Sequence, residues 1–157
     1  MPGRQIDPVT GGGERLESGA GVVLVVDDEP AIRLVCRLNL QTAGFETIEA
    51  PDGETALELA RSEQPDLILL DIMLPKSDGF TVAQELLSDP ETREIPIVFI
   101  TARSDTKDQL RGYEAGGVAF VTKPFDPVLL PETVRTTIER VRRGEREALR
   151  REWRETL

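Results

Sequence analysis

Short apolar runs recur along the chain, each followed by an amphipathic stretch. The first, Val22-Val23-Leu24-Val25-Val26, is β-branched and uninterrupted, as expected of a strand buried on both faces. A helix follows from about Pro30, a residue suited to a first helical turn, and stops near Gly44. The alternation then repeats. Phe45 to Glu49 reads as a strand and Asp52 to Glu63 as a helix. Leu67-Ile68-Leu69-Leu70 is a strand, and Phe80 to Leu87 lie in a helix opening near Asp78. Ile97-Val98-Phe99-Ile100 precedes a helix from about Asp105 to Ala115, and Val118 to Val121 precedes one from Pro127 onward. Strands alternating with helices at this spacing specify a parallel sheet covered on both faces, here a five-stranded doubly wound α/β domain.

Two segments fall outside this pattern. Residues 1–21 contain Gly11-Gly12-Gly13, two prolines and little apolar material, and read as a flexible extension. Residues 144–157 are charged and rich in helix formers, with Leu149, Trp153 and Leu157 at i, i+4 and i+8. They read as a solvated helical extension, as a docking or dimerisation helix anchored by Trp153, or as the start of a linker. A homodimer is one expectation from this segment. The domain proper spans residues 22–143.

Composition narrows the chemistry. The chain has no histidine, which removes Ser-His triads and His-ligated zinc. The single cysteine, Cys36, forms no internal disulfide and reads as a small core residue of a cytoplasmic protein. A net charge of −10 argues against a grip on nucleic acid, although seven arginines against four glutamates follow from Arg140 onward. No apolar run is long enough to span a bilayer.

What ends each apolar run is more informative. The first ends in Asp27-Asp28, the third in Asp71, the fourth in Thr101 and the fifth in Thr122-Lys123. In a parallel sheet these ends share one edge, where open α/β folds bind ligands. Each residue alone has an ordinary reading: an N-cap aspartate, a structural threonine, a solvated lysine. Together they place three carboxylates, a hydroxyl and an ammonium in one pocket. The carboxylates repel one another unless a cation intervenes, and oxygen-only ligands suit Mg2+. A carboxylate nucleophile beside positive charge also suits formation of an acyl phosphate.

Val25-Val26-Asp27-Asp28-Glu29-Pro30, Leu70-Asp71-Ile72-Met73-Leu74-Pro75 with Asp78-Gly79-Phe80, Thr101-Ala102-Arg103, and Thr122-Lys123-Pro124-Phe125 together resemble the response-regulator receiver family over about Val22 to Arg143. The resemblance implies a flavodoxin-like strand order of 2-1-3-4-5, with Asp71 as phospho-acceptor. It implies Mg2+ ligation by Asp28, Asp71 and the Met73 carbonyl, with Asp27 acting mainly through water. Lys123, Thr101 and Ala102 would bind the phosphoryl group, and the Lys123-Pro124 bond would be cis. Thr101 and Phe120 would form the switch, with output through the last helix–strand–helix region, about Asp105 to Arg143. Met73 and Arg103 stand at positions that tune phosphate lifetime in the family.

The resemblance also implies partners: a histidine kinase or histidine phosphotransfer protein upstream and a protein target downstream. No direct DNA binding and no membrane contact are expected. Such a domain phosphorylates and dephosphorylates itself but is a signalling protein, not an enzyme, and this chain reads as a stand-alone example. Three departures stand out. Val118-Ala119 replaces a common acidic pair, Lys76-Ser77 replaces a common Gly-Met, and Gly112 interrupts the fourth helix and suggests mobility there. Competing readings fit less well. A flavodoxin-like carrier would not place Asp-Asp-Glu-Pro where flavin phosphate binds, and a dehalogenase-like phosphatase would want an acid where Met73 stands. The alternative that keeps the fold is a pseudo-receiver, a binding module without phosphorylation.

Overall fold

The computed structural model describes residues 19–102 and 105–157. Most of the expected N-terminal extension, and Arg103, lie outside them. Five strands, β1 (Gly21–Val26), β2 (Phe45–Ala50), β3 (Leu67–Leu70), β4 (Ile97–Thr101) and β5 (Ala119–Thr122), form one parallel sheet in the order β2-β1-β3-β4-β5. Six helices accompany them among the described residues: α1 (Pro30–Thr42), α2 (Gly53–Glu63), α3 (Gly79–Ser88), α4 (Thr106–Glu114), α5 (Leu130–Arg142) and α6 (Arg146–Glu155).

Alternate residues of the buried strands feed two cores. Val23, Val25, Leu67, Leu69, Val98 and Ile100 face α1 and α5, meeting Cys36, Leu40, Val134 and Ile138. Leu24, Val26, Ile68, Leu70, Ile97 and Phe99 face the other way, toward Ala56, Ala60, Phe80, Ala83 and Leu86 of α2 and α3. Both faces are therefore apolar, which is why these strands read as continuous runs rather than alternating ones. Cys36 is fully buried, as expected of a core residue, and burial pushes its thiol up to about 12.

Helix starts follow side-chain chemistry. Asp52, Asp78 and Asp105 cap α2, α3 and α4, each accepting a 2.8 Å hydrogen bond from a backbone N–H three residues on. Boundaries shift in three places. Gly21, read as part of the extension, opens β1 and pairs with Phe45. The fifth strand runs one residue later than expected. The last helix of the domain starts at Leu130, because residues 126–129 form a turn closed by Leu129 N–H to Asp126 O at 3.0 Å. Pro131, not Pro127, occupies its first turn.

The C-terminal segment is not a continuation of α5: it docks on the domain through Trp153, as one reading of the sequence had it, while its outer face stays exposed. The chain breaks at Gly144, whose φ of +81° suits glycine, and reverses so that α6 packs on α4 and β5. Trp153 is buried there, with ring centroids 5.9 Å from Phe120 and 5.8 Å from Tyr113. Its indole N–H donates to Gln109 Oε1 at 3.2 Å. Arg150 donates to the Tyr113 and Gly117 carbonyls at 2.9 and 2.6 Å, and its guanidinium lies 4.1 Å over the Tyr113 ring. Arg140 reaches from α5 to both Glu152 carboxylate oxygens. Leu157, assigned to the same face as Trp153, is exposed.

Gly112 gains a packing role from this arrangement. A Cβ there would lie 3.0 Å from the Phe99 ring and 3.4 Å from the Trp153 ring, so glycine lets α4 approach both aromatics. The residue is a close-contact point beneath α6.

Candidate functional site: an acidic pocket with one lysine

The carboxyl ends of β1, β3, β4 and β5 meet at one edge of the sheet. Sheet hydrogen bonding continues a residue past the strands: Asp27 N–H donates to Ala50 O at 3.1 Å, Asp71 N–H to Val26 O at 3.0 Å, and Lys123 N–H to Thr101 O at 2.8 Å. The backbone of these three residues is therefore fixed by the sheet.

Asp27 and Asp71 are buried while Asp28 is exposed. One carboxylate oxygen from each lies within 4.8 Å of the others. Asp27 and Asp71 share one pattern of contacts. Their Oδ1 atoms accept backbone N–H bonds from residues two further on, Glu29 at 2.9 Å and Met73 at 3.0 Å. Their Oδ2 atoms both accept from Lys123 Nζ, at 2.7 Å for Asp27 and 3.0 Å for Asp71. This distinguishes them from the capping aspartates 52, 78 and 105, whose oxygens serve a helix start.

The Lys123 ammonium bridges the two carboxylates and is closer to Asp27 than to Asp71. Glu29 adds a third carboxylate 3.5 Å from Nζ, a contact the sequence did not single out. Burial works against the charge on Lys123, but the hydrogen bonds to Asp27 and Asp71 outweigh it and raise its pKa well above the ordinary lysine value. Asp27 is raised above the ordinary carboxylate value, chiefly by burial and further by the Asp71 charge, against the opposing pull of Lys123 and the Glu29 N–H. Arg33 donates to the Asp27 carbonyl at 2.6 Å and pairs with Glu49, a bracing role also missed from sequence.

The remaining expected residues line the same edge. Thr101 is buried at the end of β4, and Ala102 is exposed beside it. The Lys123-Pro124 peptide bond is cis. Met73 is half exposed, and its backbone pairs with Asp78 across the loop. Gly79 N–H donates to Ile72 O at 2.9 Å, and a Cβ at Gly79 would overlap the Asp71 carbonyl oxygen and lie 2.7 Å from Ile72 Cα. Only glycine lets the start of α3 seat so closely on the Asp71 loop. Phe120 lies deeper on β5, half buried between Phe99, at 6.2 Å, and Trp153.

The donor set consists of hard oxygens, with two buried carboxylates and one exposed carboxylate. The acidic cluster can hold a cation: three carboxylates meet there, and Lys123 is paired with two of them.

A family model described as the response regulator receiver domain matches residues 23–135. The chain belongs to the response-regulator receiver family. The receiver is 42% identical over 121 residues to the DNA-binding dual master transcriptional regulator RpaA of Synechocystis, covering 77% of this chain and 50% of that protein. It is 46% identical over 114 residues to the response regulator PleD of Caulobacter vibrioides, covering 73% of this chain and 25% of that one. It therefore spans half or less of these curated relatives. Among solved structures, a response regulator from Chloroflexus aurantiacus superposes with a TM-score of 0.73 at 33% identity, covering 76% of this chain and 98% of that chain. α6 lies beyond the matched family region. No helix among the described residues is long and apolar enough to cross a membrane.

Proposed function

We propose that Asp71 accepts a phosphoryl group from the phosphohistidine of a histidine kinase or phosphotransfer protein, with Mg2+ bound at Asp27, Asp28, Asp71 and the Met73 carbonyl. The observation that carries this reading is a buried Asp71 carboxylate, hydrogen-bonded to Lys123 and within 4.8 Å of two further carboxylates at the open edge of the sheet. An Asp71 oxygen attacks phosphorus, the P–N bond breaks, and the imidazole leaves. Bound Mg2+ supplies positive charge to the oxygens of the transferring group. Lys123 supplies more, and the new charge on Asp71 draws its ammonium away from Asp27. The Met73 N–H holds the carboxylate in position throughout. Thr101, at the end of β4, turns its hydroxyl toward the phosphoryl oxygens, and small Ala102 leaves room for them.

The domain acts as a cytoplasmic signalling protein whose phosphorylation is its own Mg2+-dependent reaction. Its output passes to a protein target through α4, β5 and α5, with Thr101 and Phe120 as the moving parts. Exposed Leu34 and Leu38 on α1, together with Val128 and Leu129 just before α5, offer apolar surface for the phosphodonor.

Incubation with acetyl phosphate and Mg2+, followed by intact mass measurement, tests the proposal. One added phosphoryl group, absent from Asp71→Asn and from Mg2+-free samples, is the expected result. If no adduct forms and the beryllofluoride mimic also fails to bind at Asp71, phosphoryl acceptance is wrong, and the domain is a binding module that keeps only the fold.

A further inference from the structure

The helix that packs on α4 and β5 is joined to the phosphorylation pocket through a short series of contacts. We propose that α6 is an internal ligand of the α4–β5 face, docked while Asp71 is unmodified and released when Asp71 carries a phosphoryl group. The covered face then becomes available to a partner only in the phosphorylated protein. This inference rests on the phosphoryl transfer proposed above.

The attachment of α6 is local. Trp153 is its one buried residue. Around that anchor the contacts are polar: Arg150 to two backbone carbonyls of the segment around α4, Trp153 to Gln109, and Arg140 to Glu152. Trp153 is the only side chain that α6 contributes to a core, and Glu147, Arg151, Glu152, Arg154 and Glu155 are exposed. The helix can therefore detach by withdrawing one ring and a few polar contacts, as low-stability segments do.

Phe120 is the joint between this anchor and the pocket. It stands on β5 three residues before Lys123, and its ring lies between Phe99 and Trp153. Phe99 in turn lies 5.6 Å from Phe80, whose neighbour Gly79 seats against the Asp71 loop. Four aromatic rings thus connect the acceptor loop to α6. Packed rings exchange between discrete rotamers, so Phe120 cannot turn while keeping both neighbours.

β5 can carry the signal. It is an edge strand, paired only with β4, so its displacement breaks no ladder on the far side. Lys123, at its end, is shared between Asp27 and Asp71 and tied by its backbone to Thr101. Added negative charge on Asp71 changes that sharing and pulls on the strand pair that holds Phe99 and Phe120. Because coupling is reciprocal, loosening α6 must also favour the phosphorylated arrangement.

Amide hydrogen exchange on the full chain tests this, with Mg2+ alone and with Mg2+ and beryllofluoride, while native mass measurement reports occupancy of Asp71. Amides of Arg146–Glu155 are expected to exchange at least about tenfold faster in the beryllofluoride-bound protein, with β1 and β3 unchanged. Occupied Asp71 with unchanged or slower exchange in α6 overturns the inference and leaves phosphoryl acceptance standing. Failure to occupy Asp71 overturns both. As a second arm, Arg150→Ala in the full chain should raise beryllofluoride affinity about 3–10-fold, whereas exposed Arg151→Ala should not. Unchanged affinity in Arg150→Ala, with α6 exchanging faster than in the parent, would also overturn it.

Discussion

Asp27→Asn should stabilise the metal-free protein. The carboxylate oxygens of Asp27, Asp28 and Asp71 lie within 4.8 Å of one another, and at an effective dielectric constant of about 20 each such pair repels by about 3.5 kcal/mol. Asp27 takes part in two of these pairs. Against them stands its contact with Lys123 at 2.7 Å, worth about 6 kcal/mol on the same scale. An asparagine oxygen keeps about 2 kcal/mol of that as a hydrogen bond to a charged donor, while its amide nitrogen then faces the Glu29 N–H and forfeits that bond at a cost of about 1 kcal/mol. Relief of repulsion therefore exceeds loss of attraction, and the neutral side chain also escapes the burial that raises the Asp27 pKa.

The expected gain is about 2 kcal/mol in EDTA, or roughly 4–8 °C in Tm for a domain of this size. The sign with pH follows from the raised folded-state pKa. The destabilising charge on Asp27 is present above that pKa and disappears as pH falls through it, so the advantage of asparagine shrinks on acidification. Mg2+ should narrow or reverse the ranking, because the parent gains more from binding the cation than the variant does. Urea unfolding with EDTA and with Mg2+, at about pH 8 and about pH 5, measures all of this. A variant with a lower midpoint in EDTA at the higher pH would refute the reasoning, since Lys123 pairing would then outweigh the repulsion.

Three further outcomes are expected. Lys76 has a φ of +72°, so Lys76→Gly should stabilise by about 1 kcal/mol in urea melts without altering phosphoryl uptake. Gly79→Ala should cost about 2–4 kcal/mol and slow phosphorylation from acetyl phosphate, because its Cβ overlaps the backbone of the Asp71 loop. Glu145 and Glu152 have pKa values held below the ordinary 4.5, by hydrogen bonds from Arg143 and Arg140 and from Arg140 respectively. Their stabilisation of α6 is present above that ordinary value and is lost as pH falls through the lowered ones, so the emission of Trp153 should shift to the red before the sheet unfolds. Coincident transitions of Trp153 fluorescence and far-ultraviolet circular dichroism would contradict that order.

Much of the domain was legible because its strands are buried on both faces and so appear as apolar runs ending abruptly in polar residues. The same feature exposed the pocket: Asp27, Asp71, Thr101 and Lys123 are the first polar groups after β-rich segments, and a parallel sheet brings such positions together. The bridging of Asp27 by Lys123 was less legible, since it depends on three-dimensional distances between residues 96 positions apart. The docking of α6 was legible in part, since Trp153 was one candidate anchor, but the face it docks on was not. That face is set by one reversal at Gly144 and by arginines that bond backbone carbonyls, which leave no trace in side-chain periodicity. Pro127 misled because two prolines stand four residues apart, and only the second begins a helix.

The hydrogen bonds that extend the sheet past its strands have a consequence for how such a domain can diversify. Asp27, Asp71 and Lys123 take their positions from backbone atoms of Ala50, Val26 and Thr101. The loop tips beyond them, such as residues 74–77, carry no part of that registration. Loop tips can be exchanged between domains of this kind, by evolution or by design, while the pocket side chains keep their spacing.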